Sequence, residues 1–364
     1  MKIKIAKENL LNALQKVQTV VNPRSPLPVL ANILFEARNG ELRLTATDLD
    51  MTIRATTAAA VDEPGATTLP AKRIFNIIRE SPGSELDLRT DDKHITTVLT
   101  ESAEFRLHGI SEEDFPAQPP FADAVVYTLE RGALRTMLQR TAYATSTDEG
   151  RKILNGVLLS FKDEKLTVVA TDGRRLALVE QEVEYPQGAE TDLVLPSKAV
   201  NEFIHSVGGE GPVKIRVTPN QVSLDTGEVV LQSKLLEGTF PNYRQVIPAE
   251  MQTRVAINRE ALMSAVRRVA LLTSESSNSV TLTFGRNKLD ITAVTPDVGE
   301  ARETVGIKHS GKEIKIAFNP DYLIDPLKTL NVDEVFFEIS DDLSPNLIKT
   351  ADPFLYIIMP LRTS

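Results

Sequence analysis

Leu166 to Leu178 reads LTVVATDGRRLAL. Leu166, Val168 and Ala170 alternate as on one face of a strand, and the run breaks at Thr171-Asp172-Gly173. Gly173 suits the positive φ of a tight turn. Arg174 and Arg175 sit on that turn, and the apolar run resumes at Leu176. Two weaker versions of the phrase occur, LRLTATDLD from Leu42 to Asp50 and LDITAVTPD from Leu289 to Asp297. Ala46, Ala170 and Ala293 are 124 and 123 residues apart (170 − 46 and 293 − 170). A period of that size predicts one domain copied three times, over residues 1–120, 121–250 and 251–364 of the 364-residue chain.

Composition sets outer limits. With 41% hydrophobic residues, each copy can bury its own core. The absence of cysteine excludes disulfides and cysteine metal sites. His94, His108, His205 and His309 are well separated, so no histidine ligand cluster is expected. The start MKIKIAKENLL is amphipathic, and no apolar run approaches membrane-spanning length. The reading is a soluble cytoplasmic protein without cofactor. A net charge of −9 by itself argues against nucleic acid as a partner.

Helical periodicity predicts helices over residues 7–21, 70–80, 130–143, 197–207, 258–272 and 319–330, with Pro326 expected to kink or shorten the last. Alternation predicts strands over residues 2–5, 33–37, 41–46, 51–57, 85–89, 95–99 and 104–109, and the order recurs in the later copies. Pro116, Pro119 and Pro120 mark a linker. Helices are too sparse for a parallel α/β fold, so the class is α+β, with sheets on one side and a helix pair on the other.

The six predicted helices sum to +6, leaving −15 for the remainder. A basic helical face on an acidic body could bind phosphates. The simpler reading is that Lys and Arg populate solvated helix faces as good helix formers.

The chain resembles the family of β subunits of bacterial DNA polymerase III, the replicative sliding clamps. The resemblance runs end to end. It rests on the three copies, Leu27-Pro28-Val29-Leu30, Pro64-Gly65-Ala66-Thr67-Thr68, Leu154-Asn155-Gly156, Val169-Ala170-Thr171-Asp172-Gly173, Phe240-Pro241-Asn242-Tyr243-Arg244 and Tyr356-Ile357-Ile358-Met359-Pro360-Leu361-Arg362. It implies a head-to-tail homodimeric ring on duplex DNA, with helices lining the hole and sheets outside. Implied partners are the polymerase α subunit, the clamp loader, and repair polymerases or other proteins carrying clamp-binding peptides. A clamp that slides should neutralise phosphates without reading bases.

The resemblance further implies DNA contacts at Arg24, Lys72, Arg73 and Lys198. Asp148 stands where the family often has Gln. It implies a groove for peptides of the Gln-Leu-x-Leu-Phe kind at Leu154, Thr171, Gly173, Arg174, Arg175, Leu176, Pro241, Val246, Asn319, Tyr322, Leu343, Met359, Pro360, Leu361 and Arg362. Arg174 stands where His is common, Gln245 where Arg is common, and the tail runs on as Thr363-Ser364. It implies subunit contacts by Ile77, Phe105 and Leu107 on one side and Leu271 and Leu272 on the other.

Two rival classes follow from the residues. Asp48 and Asp50, with the doublets Asp91-Asp92 and Asp341-Asp342, could serve a Mg²⁺-dependent hydrolase. Against it, the later copies lack a second acid at the Asp50 position, and no phosphate loop or nucleophile set is visible. The other rival is a repeat adaptor that binds peptides but no DNA.

Overall fold

The computed structural model describes residues 1–364 except 118–120, 122–123, 275–277, 297 and 363–364. Pro119 and Pro120 of the expected linker, Asp297 of the third turn, and Thr363 and Ser364 lie outside the described residues. The first third gives β1 (Lys2–Ala6), α1 (Lys7–Val17), β2 (Asn32–Arg38), β3 (Glu41–Thr47), β4 (Met51–Ala58), β5 (Ala60–Glu63), β6 (Gly65–Pro70), α2 (Ala71–Glu80), β7 (Glu85–Thr90), β8 (Ile95–Leu99) and β9 (Glu104–His108). The middle gives β10 (Val125–Glu130), α3 (Arg131–Gln139), β11 (Gly156–Lys162), β12 (Lys165–Thr171), β13 (Arg175–Glu182), β14 (Thr191–Pro196), α4 (Ser197–Ser206), β15 (Pro212–Val217), β16 (Gln221–Asp225) and β17 (Val229–Lys234). The last third gives β18 (Thr253–Asn258), α5 (Arg259–Ala270), β19 (Val280–Gly285), β20 (Lys288–Thr295), β21 (Gly299–Gly306), β22 (Ile314–Phe318), α6 (Pro320–Thr329), β23 (Glu334–Ile339), β24 (Asn346–Lys349) and β25 (Phe354–Ile358).

The described residues fall into two units. One comprises Met1–Arg135, Tyr185–Ala189 and Lys198–Leu235; the other comprises Thr136–Glu184, Glu190–Ser197 and Leu236–Ser364. The first holds a five-stranded sheet, β5-β1-β7-β8-β9, and an eight-stranded sheet, β10-β15-β16-β17-β4-β3-β2-β6. The second holds an eight-stranded sheet, β14-β11-β12-β13-β25-β24-β23-β18, and a four-stranded sheet, β21-β20-β19-β22. Neighbouring strands run antiparallel, as between β4 and β17 or β13 and β25. Leu10 and Leu14 of α1 are fully buried in the first unit, while Phe284, Phe318 and Phe337 pack ring on ring in the second.

Several helices end earlier than the periodicity predicts. The helix expected over residues 7–21 stops at Val17, followed by a 3₁₀ turn at Gln18–Val20. There Thr19, Val20 and Val21 are β-branched and Pro23 follows. The helix expected over 130–143 stops at Gln139, where the Thr141 hydroxyl donates to the Met137 carbonyl at 2.9 Å and competes with the backbone. Strands β5 and β6, absent from the sequence reading, flank Pro64.

Pro326, expected to kink or shorten the last helix, lies inside α6, which runs on past it to Thr329. Proline cannot donate to the carbonyl four residues back, that of Tyr322. The Tyr356 hydroxyl donates to that carbonyl instead, at 2.8 Å, so the group proline orphans is satisfied from β25.

A threefold recurrence appears in the hydrogen bonding. The backbone N–H of Lys7 donates to the Ser84 carbonyl at 2.8 Å, that of Arg131 to Gly211 at 2.8 Å, and that of Arg259 to Asp333 at 2.9 Å. The side chains repeat the pattern. Lys7 Nζ donates to the Ser81 carbonyl beyond α2, and Arg131 Nη1 to Gly208 beyond α4 at 3.0 Å. Arg259 donates to the Leu327 and Val332 carbonyls at the end of α6, both at 3.0 Å. A cation there satisfies orphan carbonyls and complements the helix dipole.

These clips also revise the charge reading. Lys7, Arg131 and Arg259 all count toward the +6 of the helices, yet each is committed to backbone carbonyls. Arg135 donates to Ile204 O, and Arg268 pairs with Glu303. The charge free to meet phosphate is smaller than the sum. Removing one clip by Arg259→Met should cost about 2 kcal/mol, the scale of hydrogen bonds from a charged donor. The urea midpoint should fall with little change in its slope.

Candidate functional site

The organising stretch folds as the β12–β13 hairpin, with Thr171 opposite Leu176 and Ala170 opposite Ala177. Its turn is wired by two side chains. Asp172 Oδ1 accepts from the N–H groups of Arg174 and Arg175 at 2.8 and 3.0 Å. The Thr171 hydroxyl accepts from the Gly173 N–H at 3.1 Å and donates to the Arg175 carbonyl at 2.6 Å. Gly173 takes a φ of 86°, which is strained for a residue with a Cβ.

The two arginines diverge. Arg175 turns inward: Nε meets Asp172 at 3.1 Å, Nη1 meets Asp325 at 2.8 Å, and Nη2 donates to the Tyr143 carbonyl at 2.6 Å. Its guanidinium lies 4.4 Å from the centre of the Tyr322 ring. Burial disfavours its charge, but Tyr356, Asp325 and Asp172 outweigh that, and its pKa rises above the ordinary arginine value. Burial pushes the Tyr356 phenol up as well. Arg174 is exposed.

Beside the turn runs β25, with Ile358 opposite Arg175. The Met359 N–H then donates to the Arg174 carbonyl at 3.0 Å, which sets Met359 across from Arg174. A groove of about 620 Å³ opens there. Thr171, Gly173, Arg174, Arg175 and Leu176 line one wall, Gln245, Val246, Ile247 and Pro248 another, and Ser340, Ser344, Pro345, Ile357 and Met359 the rest. Leu176 and Ile357 belong to a buried cluster with Leu158, Val169, Leu178, Val194 and Leu347, against which Ile247 packs. The floor is therefore fixed core, while Val246 is 50% and Met359 39% exposed.

The TDLD turn of the first copy repeats the wiring without the groove. Asp48 Oδ1 accepts from the Asp50 and Met51 N–H groups at 3.0 and 2.8 Å, and Thr47 donates to Met51 O at 3.0 Å. Leu49 takes the position of Gly173, with φ 79°. The Lys234 N–H donates to the Asp50 carbonyl at 2.9 Å, as Met359 does to Arg174. Here the two side chains close on each other, Lys234 Nζ to Asp50 at 2.8 Å. The remaining cavity is about 140 Å³.

Residues 1–119 match the N-terminal domain of the DNA polymerase III beta subunit, 128–242 its central domain and 244–362 its C-terminal domain. The chain belongs to the DNA polymerase III beta subunit family. It is 36% identical over 362 residues to the beta sliding clamp of Chlamydia muridarum, spanning 100% of this chain and 99% of that one. It is 32% identical over 367 residues to that of Escherichia coli K12, spanning 100% of both. Among solved structures, the Bacillus subtilis DNA polymerase sliding clamp superposes with a TM-score of 0.94 at 27% identity. The Bartonella birtlesii sliding clamp bound to griselimycin gives 0.94 at 33%. Both comparisons cover 100% of each chain.

Of the groove residues expected for a beta subunit, Thr171, Gly173, Arg174, Arg175, Leu176, Val246 and Met359 line one cavity. The others have different places. Leu154 is buried, and its carbonyl accepts from the Ser146 N–H. Asn319 caps α6 through its side chain, at 2.9 Å from the Asp321 N–H. Tyr322 stacks on Arg175. Leu361 bridges to Ala317. Pro241, Leu343 and Arg362 are exposed and Pro360 half-buried, and none of these four lines the cavity. Sequence reading missed Ile247, Pro248, Ser340, Ser344, Pro345 and Ile357 as lining. Ile357 was legible as an inward position of the last strand, whereas Ser340, Ser344 and Pro345 sit in a loop that carries no signal of its own.

Of the basic residues, Arg24, Lys72 and Arg73 are exposed, while Lys198 is engaged by Asp48. Asp148 is tied to Arg151 at 3.0 Å. Of the expected subunit contacts, Leu271 is 78% exposed, and Leu272, Ile77 and Phe105 are half-buried. Leu107 is only 6% exposed. It lies on the same face of β9 as Phe105, because alternate residues of a strand share a side.

Arg175→Met would strand Asp172 and Asp325 without their cation. A loss of about 3 kcal/mol is expected, against under about 0.5 kcal/mol for Arg174→Met at an exposed position. Chemical denaturation of the two variants side by side measures the contrast.

Proposed function

We propose that this beta subunit acts as a head-to-tail homodimeric ring around duplex DNA and tethers peptide-bearing partners at the Arg174–Met359 groove. Partners would be the polymerase α subunit, the clamp loader, and repair polymerases or other proteins carrying clamp-binding peptides. The three-copy organisation, 1–120, 121–250 and 251–364, is part of this reading, supported by the recurring helix clips.

One observation carries the dimer. The strand after each turn pairs with the last strand of the following copy: β4 with β17, and β13 with β25. In the third copy, β21 stands at a sheet edge, and β9, the last strand of the first copy, stands at another. Open edges are pairing surfaces. Pairing β21 of one chain with β9 of a second would continue the rule, and a repeated heterologous contact can close a ring. Leu271, Val294 and Val298 are more than half exposed on the β21 side, as an apolar contact needs.

Of the four expected DNA contacts, Arg24, Lys72 and Arg73 are exposed and make no ion pair among the described residues, whereas Lys198 is held by Asp48. Contacts to phosphate alone hold duplex without reading it. The hydrolase reading loses its best pair, because Asp48 is held by Lys198 and Asp50 by Lys234. Leu271→Ala with Leu272→Ala should give a folded monomer by sedimentation and circular dichroism. After loading, the ring should stay on nicked circular DNA, and the monomer should not. A variant that remains dimeric, or a monomer retained like the wild type, would count against ring closure at this surface.

At the groove, a partner Leu and Phe would each contribute roughly 1.5–3 kcal/mol if fully buried. Ordering the peptide removes much of that, so roughly micromolar affinity is expected. Met359→Ala should weaken a labelled Gln-Leu-x-Leu-Phe peptide about tenfold in fluorescence polarisation and leave the dimer intact on gel filtration. Unchanged affinity would reject the groove.

A further inference from the structure

The eight-stranded sheets of the two units share a register. In the second unit Val169 opposes Leu178 and Leu347 opposes Ile357, and all four lie in the buried apolar cluster beneath the groove. In the first unit the same positions pair Thr45 with Arg54 and Ser223 with Gln232. That face is therefore polar in the first unit. Opposed residues share a side of a sheet, so Arg43, two residues before Thr45, stands on it too, with Glu36 opposite. Asp225 reaches the same face two residues beyond Ser223, and Arg216 lies opposite Ser223.

The flanking charges are closed pairs: Arg38 meets Glu36 at 3.3 Å and Arg216 meets Asp225 at 3.1 Å. At the margins, Lys214 and Glu41 are exposed and of opposite sign. Between the pairs, Arg43 and Arg54 are half-buried diagonal neighbours that make no ion pair among the described residues. The Nε of each is buried without a hydrogen-bond partner, and so are the hydroxyls of Thr45, 2% exposed, and Ser223, 0% exposed. Burial and the Arg43 charge hold the Arg54 guanidinium below the ordinary arginine value. Buried polar groups are satisfied by protein, water or a bound ion as a rule, and this cluster lacks its acceptor.

We infer that Arg43 and Arg54 hold a phosphate dianion on this face of the first unit's sheet. The charge matches, because two positive charges stand open between two neutral pairs. The donor set matches as well, since a guanidinium presents paired N–H groups to phosphate oxygens, and the Thr45 and Ser223 hydroxyls share the face. Free phosphate and the terminal phosphate of a nucleotide present the same dianion. The site draws on none of the residues of the peptide groove.

Titration calorimetry of the full chain at constant ionic strength tests it with inorganic phosphate, thymidine monophosphate and dimethyl phosphate. Wild-type protein should bind at least one of the two dianions, and which one binds identifies the source. Dimethyl phosphate, a monoanion, should bind about fivefold more weakly, having half the charge to place between the arginines. Arg43→Gln with Arg54→Gln should weaken dianion binding at least about tenfold, the loss expected of hydrogen bonds between charged groups, with an unchanged circular dichroism spectrum. Arg54→Lys alone keeps the charge and should weaken binding about threefold by losing the paired donors. That variant decides the matter if the double one disturbs the sheet. No dianion binding by the wild type, equal binding of dimethyl phosphate, or wild-type affinity in either variant would overturn the inference.

Discussion

The pairing of β25 with β13 is the contact on which the groove depends. It is made of backbone hydrogen bonds between residues nearly two hundred positions apart, from Arg175 opposite Ile358 to Val179 opposite Phe354. Such pairing is indifferent to side-chain identity, which lets the same join recur between β4 and β17 with other residues on its surface. Side chains then decide what each join becomes. A Gly at the turn, a Met across from it and an unpaired Arg leave a slot; a Leu and an ion pair fill it.

Tyr356 shows how tightly the parts are coupled. Its hydroxyl satisfies the carbonyl that Pro326 frees in α6, while burial keeps the phenol protonated. Its ring packs against Tyr143, whose carbonyl in turn receives Arg175. Helix, terminal strand and turn are thereby locked by one polar network behind the groove. Its bonds join groups distant in sequence, and that ties the geometry of the turn to Tyr143, Asp325 and Tyr356.

The helix clips carry a different lesson about charge. Net charge summed over helices treats every Lys and Arg as available to solvent. Lys7, Arg131 and Arg259 sit at the start of successive first helices and spend their donors on the carbonyls that end the second. The basic surplus is thus partly a device for holding two helices together in each copy.

The sequence by itself determined the copy number, the α+β class, the position of the β12–β13 turn and the family, because periodicity and turn chemistry are local properties of consecutive residues. Of the apolar positions it pointed to, Leu176, Val246 and Met359 line one cavity and Leu154 does not. Tertiary structure alone decided the rest. Arg174 and Arg175 are neighbours of identical chemistry, and only the arrival of Asp325, Tyr143 and Tyr322 beside the second makes one a structural clamp and leaves the other open to a ligand. The bonds of Asn319 and Leu361, a cap on α6 and a bridge to Ala317, were likewise not legible in the sequence around them. The reason is physical: burial and ion pairing depend on groups brought together across the chain, and no stretch of consecutive residues contains that information.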